Sequence, residues 1–254
     1  MSVRIGVDIG GSFTDFAVLD EQTREVRSLK VFSRPDSPGS EVAAGMRGLA
    51  QRYGVDPRDV TYFTHGTTVG VNAVLQRKGL KLALITTRGF EDVLELARLK
   101  IPDTFHLMSL RPRPLVPRDR VFGVRGRLSA VGAEEAPIDE GDVLEVLGRI
   151  GAAGCEGVVV SLLHAYRNPE HERRVKAILL RARPELFVSC SHEVWPIIRE
   201  YERTSTAVIG AYVQPKVAHY LTELQAALAR SGVGAELKVT KSNGGVMSAE
   251  HGKS

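Results

Sequence analysis

The sequence predicts an α/β fold: a mixed sheet with helices on both faces. Three observations carry this. The first 32 residues read as a meander of three extended runs, with a glycine turn after Ile9 and a polar turn at Thr23-Arg24. Downstream, strand-like and helix-like stretches alternate, which argues for a layered α/β architecture. Finally, residues 157–163 form a run of buried-strand type.

The elements follow in order. Residues 40–53 read as a helix, because Val42, Met46, Leu49 and Tyr53 share one face and Gly54 ends it. A short strand over 60–64 leads into a helix over 67–78, closed by Gly79. A strand over 81–86 and a helix over 91–99 come next. Pro102, Pro112, Pro114 and Pro117 then mark residues 101–120 as the linker between a domain over 1–100 and a second α/β region over 121–254. Within the second region the expected elements are a strand over 121–128 and a helix over 139–152 with Asp139 as N-cap. A helix begins near Asn168-Pro169-Glu170 and runs to 183, with proline in the first turn. Residues 186–190 and 236–240 read as strands. Residues 197–230 read as helical, broken near Gln214-Pro215, and Asn243-Gly244-Gly245 is a final glycine turn.

Composition narrows the class. At 254 residues, with 43% hydrophobic and 25% charged side chains, the chain has enough apolar material for a sizeable core and is not a disordered polymer. The net charge of +4 is mild. Its one arginine-rich stretch, 111–127, lacks the run of aromatic residues that would stack bases, so a solvated loop is expected rather than a nucleic-acid surface. The longest charge-free run, 60–76, is too polar to span a membrane. The N-terminus enters the first strand with no leader pattern, and Cys155 and Cys190 follow no metal-ligand spacing. Buried, reduced thiols in a cytoplasmic protein are expected.

The chemistry is concentrated at the first turn, Asp8-Ile9-Gly10-Gly11-Ser12-Phe13-Thr14-Asp15. Gly10 and Gly11 open main-chain N–H groups to a ligand, and Ser12 and Thr14 add hydroxyl donors. Asp8 places a carboxylate where a phosphate-bound Mg2+ can be held through water. In a P-loop or a dinucleotide fingerprint the glycines open a helix; here residues 14–20 continue as a strand, which excludes both. Such a hairpin resembles the phosphate-gripping hairpin of the actin, Hsp70 and sugar-kinase superfamily. Gly252-Lys253-Ser254 imitates the end of a P-loop, but Met247 stands where that motif requires glycine. Thr64-His65-Gly66-Thr67-Thr68 precedes a helix whose first turn offers free N–H groups, and Asn72 lies one turn on. His65 is either an acid–base group or a structural histidine. Arg88, in Thr86-Thr87-Arg88-Gly89, suits a carboxylate or phosphate ligand or an ion pair at a helix start. His164 and His171 read as structural, and residues 200–206 form a dense polar cluster.

Over nearly its whole length the chain resembles the hydantoinase A, ATP-dependent 5-oxoprolinase and acetone carboxylase β-subunit family. The resemblance rests on the 6–15 hairpin, His65-Gly66-Thr67-Thr68, Asn72, Thr86-Thr87-Arg88-Gly89-Phe90 and Pro114-Leu115-Val116-Pro117-Arg118. It continues through Leu163-His164-Ala165-Tyr166, residues 168–172 and 199–206, and Ser242-Asn243-Gly244-Gly245. It implies an actin-like (ribonuclease H-like) ATPase fold and an ATP- and Mg2+-dependent attack on a cyclic amide or ketone, such as 5-oxoproline or a hydantoin. In that frame Asp8, Asp15 and His65 are catalytic, with Asp8 also organising the metal. Gly10, Gly11, Ser12, Phe13 and Thr14 hold phosphates. Gly66, Thr67, Thr68, Asn72, Arg88, Asn243 and Gly244 line the substrate side. Family members continue into a second phosphate loop, so a missing C-terminal half and a hydantoinase B-type subunit are the implied partners, and the chain alone is expected to fold without turning over. A kinase-type relative and a non-catalytic binding or assembly module are the competing readings; neither a nucleic acid nor a membrane is an expected partner.

Overall fold

The computed structural model describes residues 2–10, 12–33 and 39–253, so Gly11 of the first turn and Ser254 lie outside the described residues. The chain opens with β1 (Val3–Ile9), β2 (Phe13–Asp20), β3 (Val26–Phe32), α1 (Ser40–Tyr53), β4 (Val60–Thr67) and the short α2 (Val69–Leu75). Next come β5 (Leu82–Thr87), α3 (Val93–Leu96), β6 (Val121–Val124), β7 (Arg127–Leu128) and β8 (Glu134–Ala136). They are followed by α4 (Glu140–Ala152), β9 (Gly157–Ser161), α5 (Glu170–Ala182), β10 (Phe187–Cys190) and α6 (Ser191–Val194). The last elements are α7 (Glu200–Arg230), β11 (Leu237–Thr240), β12 (Val246–Ser248) and α8 (Ala249–Lys253).

The chain forms two compact units. One combines Met1–Gln76 with Gln214–Ser254; the other is Arg77–Val213. The first unit carries a six-stranded mixed sheet in the order β12-β11-β4-β1-β2-β3. β1 is antiparallel to β2 and parallel to β4, and β4 is parallel to β11. Side chains alternate across the sheet. Val3, Ile5, Val7, Phe16, Val18 and Phe63 point inward, under Val42, Met46 and Leu49 of α1 and Leu221, Leu224 and Leu228 of α7. Burying each such side chain contributes about 1.5–3 kcal/mol, so this one-sided core holds the strand register. Helix α1 ends as its sequence predicts: Gly54, at φ 67°, returns its N–H to Ala50 O at 3.0 Å.

The second unit is built on a four-stranded parallel sheet, β10-β9-β5-β6. Here helices cover both faces. α4 and α5 pack through Val143, Val146, Ile150, Val175 and Leu179 onto Ala83, Ile85, Val158 and Val160. On the opposite face, Ser161 Oγ meets Thr204 Oγ1 of α7 at 2.7 Å. Asp139 caps α4 as predicted, accepting from Asp142 N–H at 3.1 Å. Cys155 and Cys190 are buried free thiols. No helix among the described residues is long and apolar enough to cross a membrane.

Several boundaries differ from the sequence reading. Residues 101–120 do not divide the chain; they lie inside the second unit, and the crossings fall at 76/77 and 213/214. Prolines mark a loop, whereas the return of β11 to the side of β4 decides which residues pack together. The helices expected over 67–78 and 91–99 shorten to α2 and α3. The break expected at Pro215 is absent: α7 runs 31 residues through it. Proline removes only its own helical N–H, the donor to the Ala211 carbonyl; the neighbouring Tyr212 carbonyl accepts from Leu80 N–H, outside the helix, at 3.0 Å.

Candidate functional site

In the first unit the parallel strands β1, β4 and β11 end side by side, which is where open α/β sheets bind ligands. Each is followed by one of the predicted segments: the glycine turn, the Thr67-Thr68 junction and the Asn243-Gly244 turn. Gly10 N–H donates to Phe13 O at 2.9 Å, closing the hairpin between β1 and β2. At the tip, Phe13 stacks on Phe32 with ring centroids 5.0 Å apart, and Lys30 Nζ lies 5.3 Å from the Phe13 ring centre. Asn243 folds its side chain onto Gly245 N–H at 3.1 Å, and Gly244, at φ 84°, supplies the left-handed residue of that turn.

Register gathers a polar row on the solvent face of this sheet. Asp8 stands beside Gly66 on one side and Asp15 on the other, and Asp15 stands beside Lys30. A β-carbon on Gly66 would lie 3.4 Å from Asp8 Oδ1 and 3.6 Å from Thr240 Oγ1, so the glycine leaves a small recess between carboxylate and hydroxyl. Asp15 is paired with Lys30 at 3.1 Å. Asp8 has no hydrogen-bond or ion-pair partner among the described residues. Two carboxylates directly opposite on neighbouring antiparallel strands repel unless a cation lies near them.

Other predicted residues sit differently. Thr14 points to the inner face, fully buried, with its hydroxyl 2.9 Å from Ser33 Oγ. The Thr67 hydroxyl accepts from Val69 N–H at 3.2 Å, and Asn72 donates to Thr68 Oγ1 at 3.1 Å, so these side chains organise the start of α2. His65 is on the inner face, fully buried beside Val7, with Nε2 2.7 Å from the Tyr220 hydroxyl. Burial pushes its pKa down to about 4, and a contact with the Val7 backbone only partly opposes this. Burial pushes the Tyr220 hydroxyl up, so it keeps its proton and shares a hydrogen bond with a neutral ring. The catalytic role expected of His65 is therefore corrected to an interior one: the ring has no access to a substrate from this position.

A pH dependence follows. The folded pKa of His65 lies below the ordinary value of 6.5, so its contribution to stability is complete above pH 6.5 and is lost as pH falls towards 4. At about 1.36 kcal/mol per unit, the loss is about 3 kcal/mol. Urea midpoints at pH 7.5 and 4.5 should show this drop, and His65→Gln should flatten it; an equally steep profile in the variant would overturn the assignment.

In the second unit, Arg88 is not free for a ligand. Its Nη2 pairs with Asp142 Oδ2 at 2.8 Å, and Arg125 grips the same carboxylate through Nη2, also at 2.8 Å. Arg125, then its backbone N–H, then Arg88 hold Asp142 at a pKa of about 2. Sequence reasoning also missed a buried polar network at the ends of β9 and β10. Glu172, fully buried, accepts from Leu162 N–H at 2.9 Å, Ser191 Oγ at 2.6 Å and His192 N–H at 3.0 Å, and meets His192 Nδ1 at 2.6 Å. Arg203, also fully buried, donates to Ser191 Oγ, Ile197 O and Leu162 O at 3.0, 2.9 and 2.8 Å. Glu172, Cys190 and His192 bring ligand atoms within 4.8 Å of one another. Both Glu172 oxygens are already engaged and burial pushes the Cys190 thiol up, so the trio reads as a hydrogen-bonded brace. The only advance signal was the polar density of 200–206.

A glycine hairpin, a carboxylate with no partner among the described residues and a second glycine turn thus lie at the ends of adjacent parallel strands in an α/β fold of the actin-like ATPase type. The comparisons with known proteins agree. Residues 4–182 match the hydantoinase/oxoprolinase N-terminal region, and residues 203–254 match hydantoinase/oxoprolinase. The chain belongs to the hydantoinase/oxoprolinase family. It is 34% identical to caprolactamase subunit alpha of Pseudomonas jessenii over 96% of this chain and 36% of that protein. It is 31% identical to the acetone carboxylase beta subunit of Xanthobacter autotrophicus, again over 96% of this chain and 36% of the relative. Among solved structures, nucleotide-free acetone carboxylase superposes with TM-score 0.89 at 29% identity, covering 99% of this chain and 38% of that one. ATP-dependent caprolactamase from Pseudomonas jessenii superposes with TM-score 0.85 at 34% identity, covering 97% and 36%. The chain thus spans about a third of the length of these relatives.

Proposed function

We propose that this chain forms the phosphate- and Mg2+-binding part of an ATP-dependent enzyme that opens a cyclic amide, the 5-oxoproline or hydantoin class being the best fit. The observation that carries the reading is Asp8: an exposed carboxylate with no partner among the described residues, opposite Asp15 and beside the recess at Gly66. A hard oxygen donor of this kind fits Mg2+. Asp8, through water, would hold the ion, with Thr240 Oγ1 at the edge of the recess; bound there, Mg2+ would offset the negative charge of the phosphates. The hairpin, closed by Gly10, would align the γ-phosphoryl group through the main-chain donors of Ser12 and Phe13, and Asn243 and Gly244 would border the reacting end of the substrate. Transfer of the γ-phosphoryl group from ATP to the amide oxygen, with ADP leaving, would make the carbonyl carbon electrophilic; water would then add, the ring C–N bond would break and inorganic phosphate would leave, with catalysis supplied by positioning and charge stabilisation. His65 and Arg88 take no direct part. The remaining polypeptide of such an enzyme, and a hydantoinase B-type subunit, would complete the site.

The test combines the chain with the polypeptides that complete a family enzyme and measures ATP hydrolysis against 5-oxoproline, hydantoins, a lactam and acetone. Stimulation by a cyclic amide, dependent on Mg2+, is the expected result. Stimulation by acetone alone would replace the substrate class, and no Mg2+-dependent nucleotide binding would overturn the reading.

A further inference from the structure

The second unit contains a cavity of about 510 Å³ that has no part in the site described above. Its lining carries four cationic side chains, Arg77, Lys81, Arg113 and Arg120, against the single carboxylate of Glu95. Among the described residues none of the four forms an ion pair. Several exposed arginines elsewhere in this chain have a carboxylate in reach, as Arg88, Arg118, Arg125 and Arg181 do.

The cavity is also built rather than incidental. Arg77 sits at φ 53°, a left-handed backbone costly for a non-glycine residue, and its guanidinium is tied to Arg113 O at 2.6 Å and Pro114 O at 3.2 Å. Arg120, half-buried, is tied to Leu82 O at 3.1 Å. Two of the four cations are thus oriented by carbonyls, which leave their positive charge uncancelled. Gly79 brings the chain against Tyr212 so closely that a β-carbon there would lie 2.2 Å from the ring, and Leu80 N–H bonds the Tyr212 carbonyl. Pro114 and Pro117 stiffen the lining. A concave site of this volume accommodates a small ligand, and one sign of charge focused in a cleft concentrates ligands of the opposite sign.

We propose that this cavity binds a small organic polyanion, a molecule with two or more phosphate or carboxylate oxygens on a body that rests against Leu115 and Pro114. Arg77 and Arg120 present fixed guanidinium edges to the oxyanion groups, and Lys81 and Arg113 add mobile charge. The lining shares no residue with the Asp8 hairpin, and the ligand is expected to bind without Mg2+.

Calorimetric titration of the full chain with inorganic pyrophosphate and with citrate, at fixed ionic strength in EDTA, tests this. Saturable binding by at least one probe is expected, weakened tenfold or more in the double variant Lys81→Gln/Arg113→Gln. Both positions are exposed and neither side chain forms a hydrogen bond or ion pair among the described residues, so the thermal midpoint should stay within about 2 °C, the shift of a small surface effect. Asp8→Asn should bind as tightly as the parent, which separates this cavity from the proposed nucleotide site. Preference for pyrophosphate assigns a phosphorylated ligand, and preference for citrate a polycarboxylate. No saturable binding of either probe, or binding lost in Asp8→Asn but kept in the double variant, would overturn the proposal.

Discussion

Asp8→Asn is expected to lower ATP-dependent turnover of the assembled enzyme about 100-fold or more while leaving the fold intact. The substitution keeps the shape of the side chain and removes only its charge. Because Asp8 is exposed and unpartnered among the described residues, the fold loses no contact, and an exposed change of this kind stays within about 0.5 kcal/mol. The proposed role is different: an anion that fixes Mg2+ against the phosphates acts where charge develops in the transition state. Losing one such group costs about 2.7 kcal/mol or more in the barrier. The loss should fall on kcat and on the Mg2+ concentration for half-maximal rate. Asp15→Asn should cost less, because Asp15 already pairs with Lys30. Turnover within threefold of the parent in Asp8→Asn would remove Asp8 from the site.

Arg203→Met is expected to destabilise the protein by about 3–5 kcal/mol, the usual cost of deleting one partner from a buried charged network. The side chain is fully buried and satisfies two carbonyls and a hydroxyl as well as pairing with Glu200 at 3.1 Å. Methionine fills similar volume but leaves those oxygens without donors. Arg98 offers the contrast: half-exposed and paired with Glu202, it should cost about 1 kcal/mol or less when changed to methionine. Urea unfolding of both variants measures the difference. Equal, small losses would mean that water replaces the Arg203 guanidinium.

Much of the frame could be read from local chemistry. The hairpin, α1 with its Gly54 stop, and α4 with its Asp139 cap depend on residues only a few positions apart. What stayed hidden depends on distant partners. His65 looks catalytic in its motif, yet its fate is set by alternation along β4 and by Tyr220, 155 positions away. Arg203 belongs to a residue type rarely buried, and nothing local announces that Leu162 and Ser191 will need its donors. The unit boundaries escaped for the same reason: 76/77 follows an ordinary helix, and 213/214 lies inside α7, where no change of composition appears. The Asp8 row was half legible, since glycine and carboxylate were visible, but the approach of Thr240 required the pairing of β11 with β4.

The split of the first unit between residues 1–76 and 214–254 sets an order of events during synthesis. The second unit is continuous, and its parallel sheet can be completed as soon as residue 213 has been made. The first three strands can pair locally, but their apolar face stays without Leu221, Leu224 and Leu228 until α7 is finished, and β4 lacks its outer neighbour until residue 240. Closing that gap means joining segments more than 130 positions apart, the kind of long-range pairing that forms slowly. The half-made first unit therefore emerges first and matures last, with an open, strand-rich edge at β4 during the interval, a state in which protection against aggregation matters most.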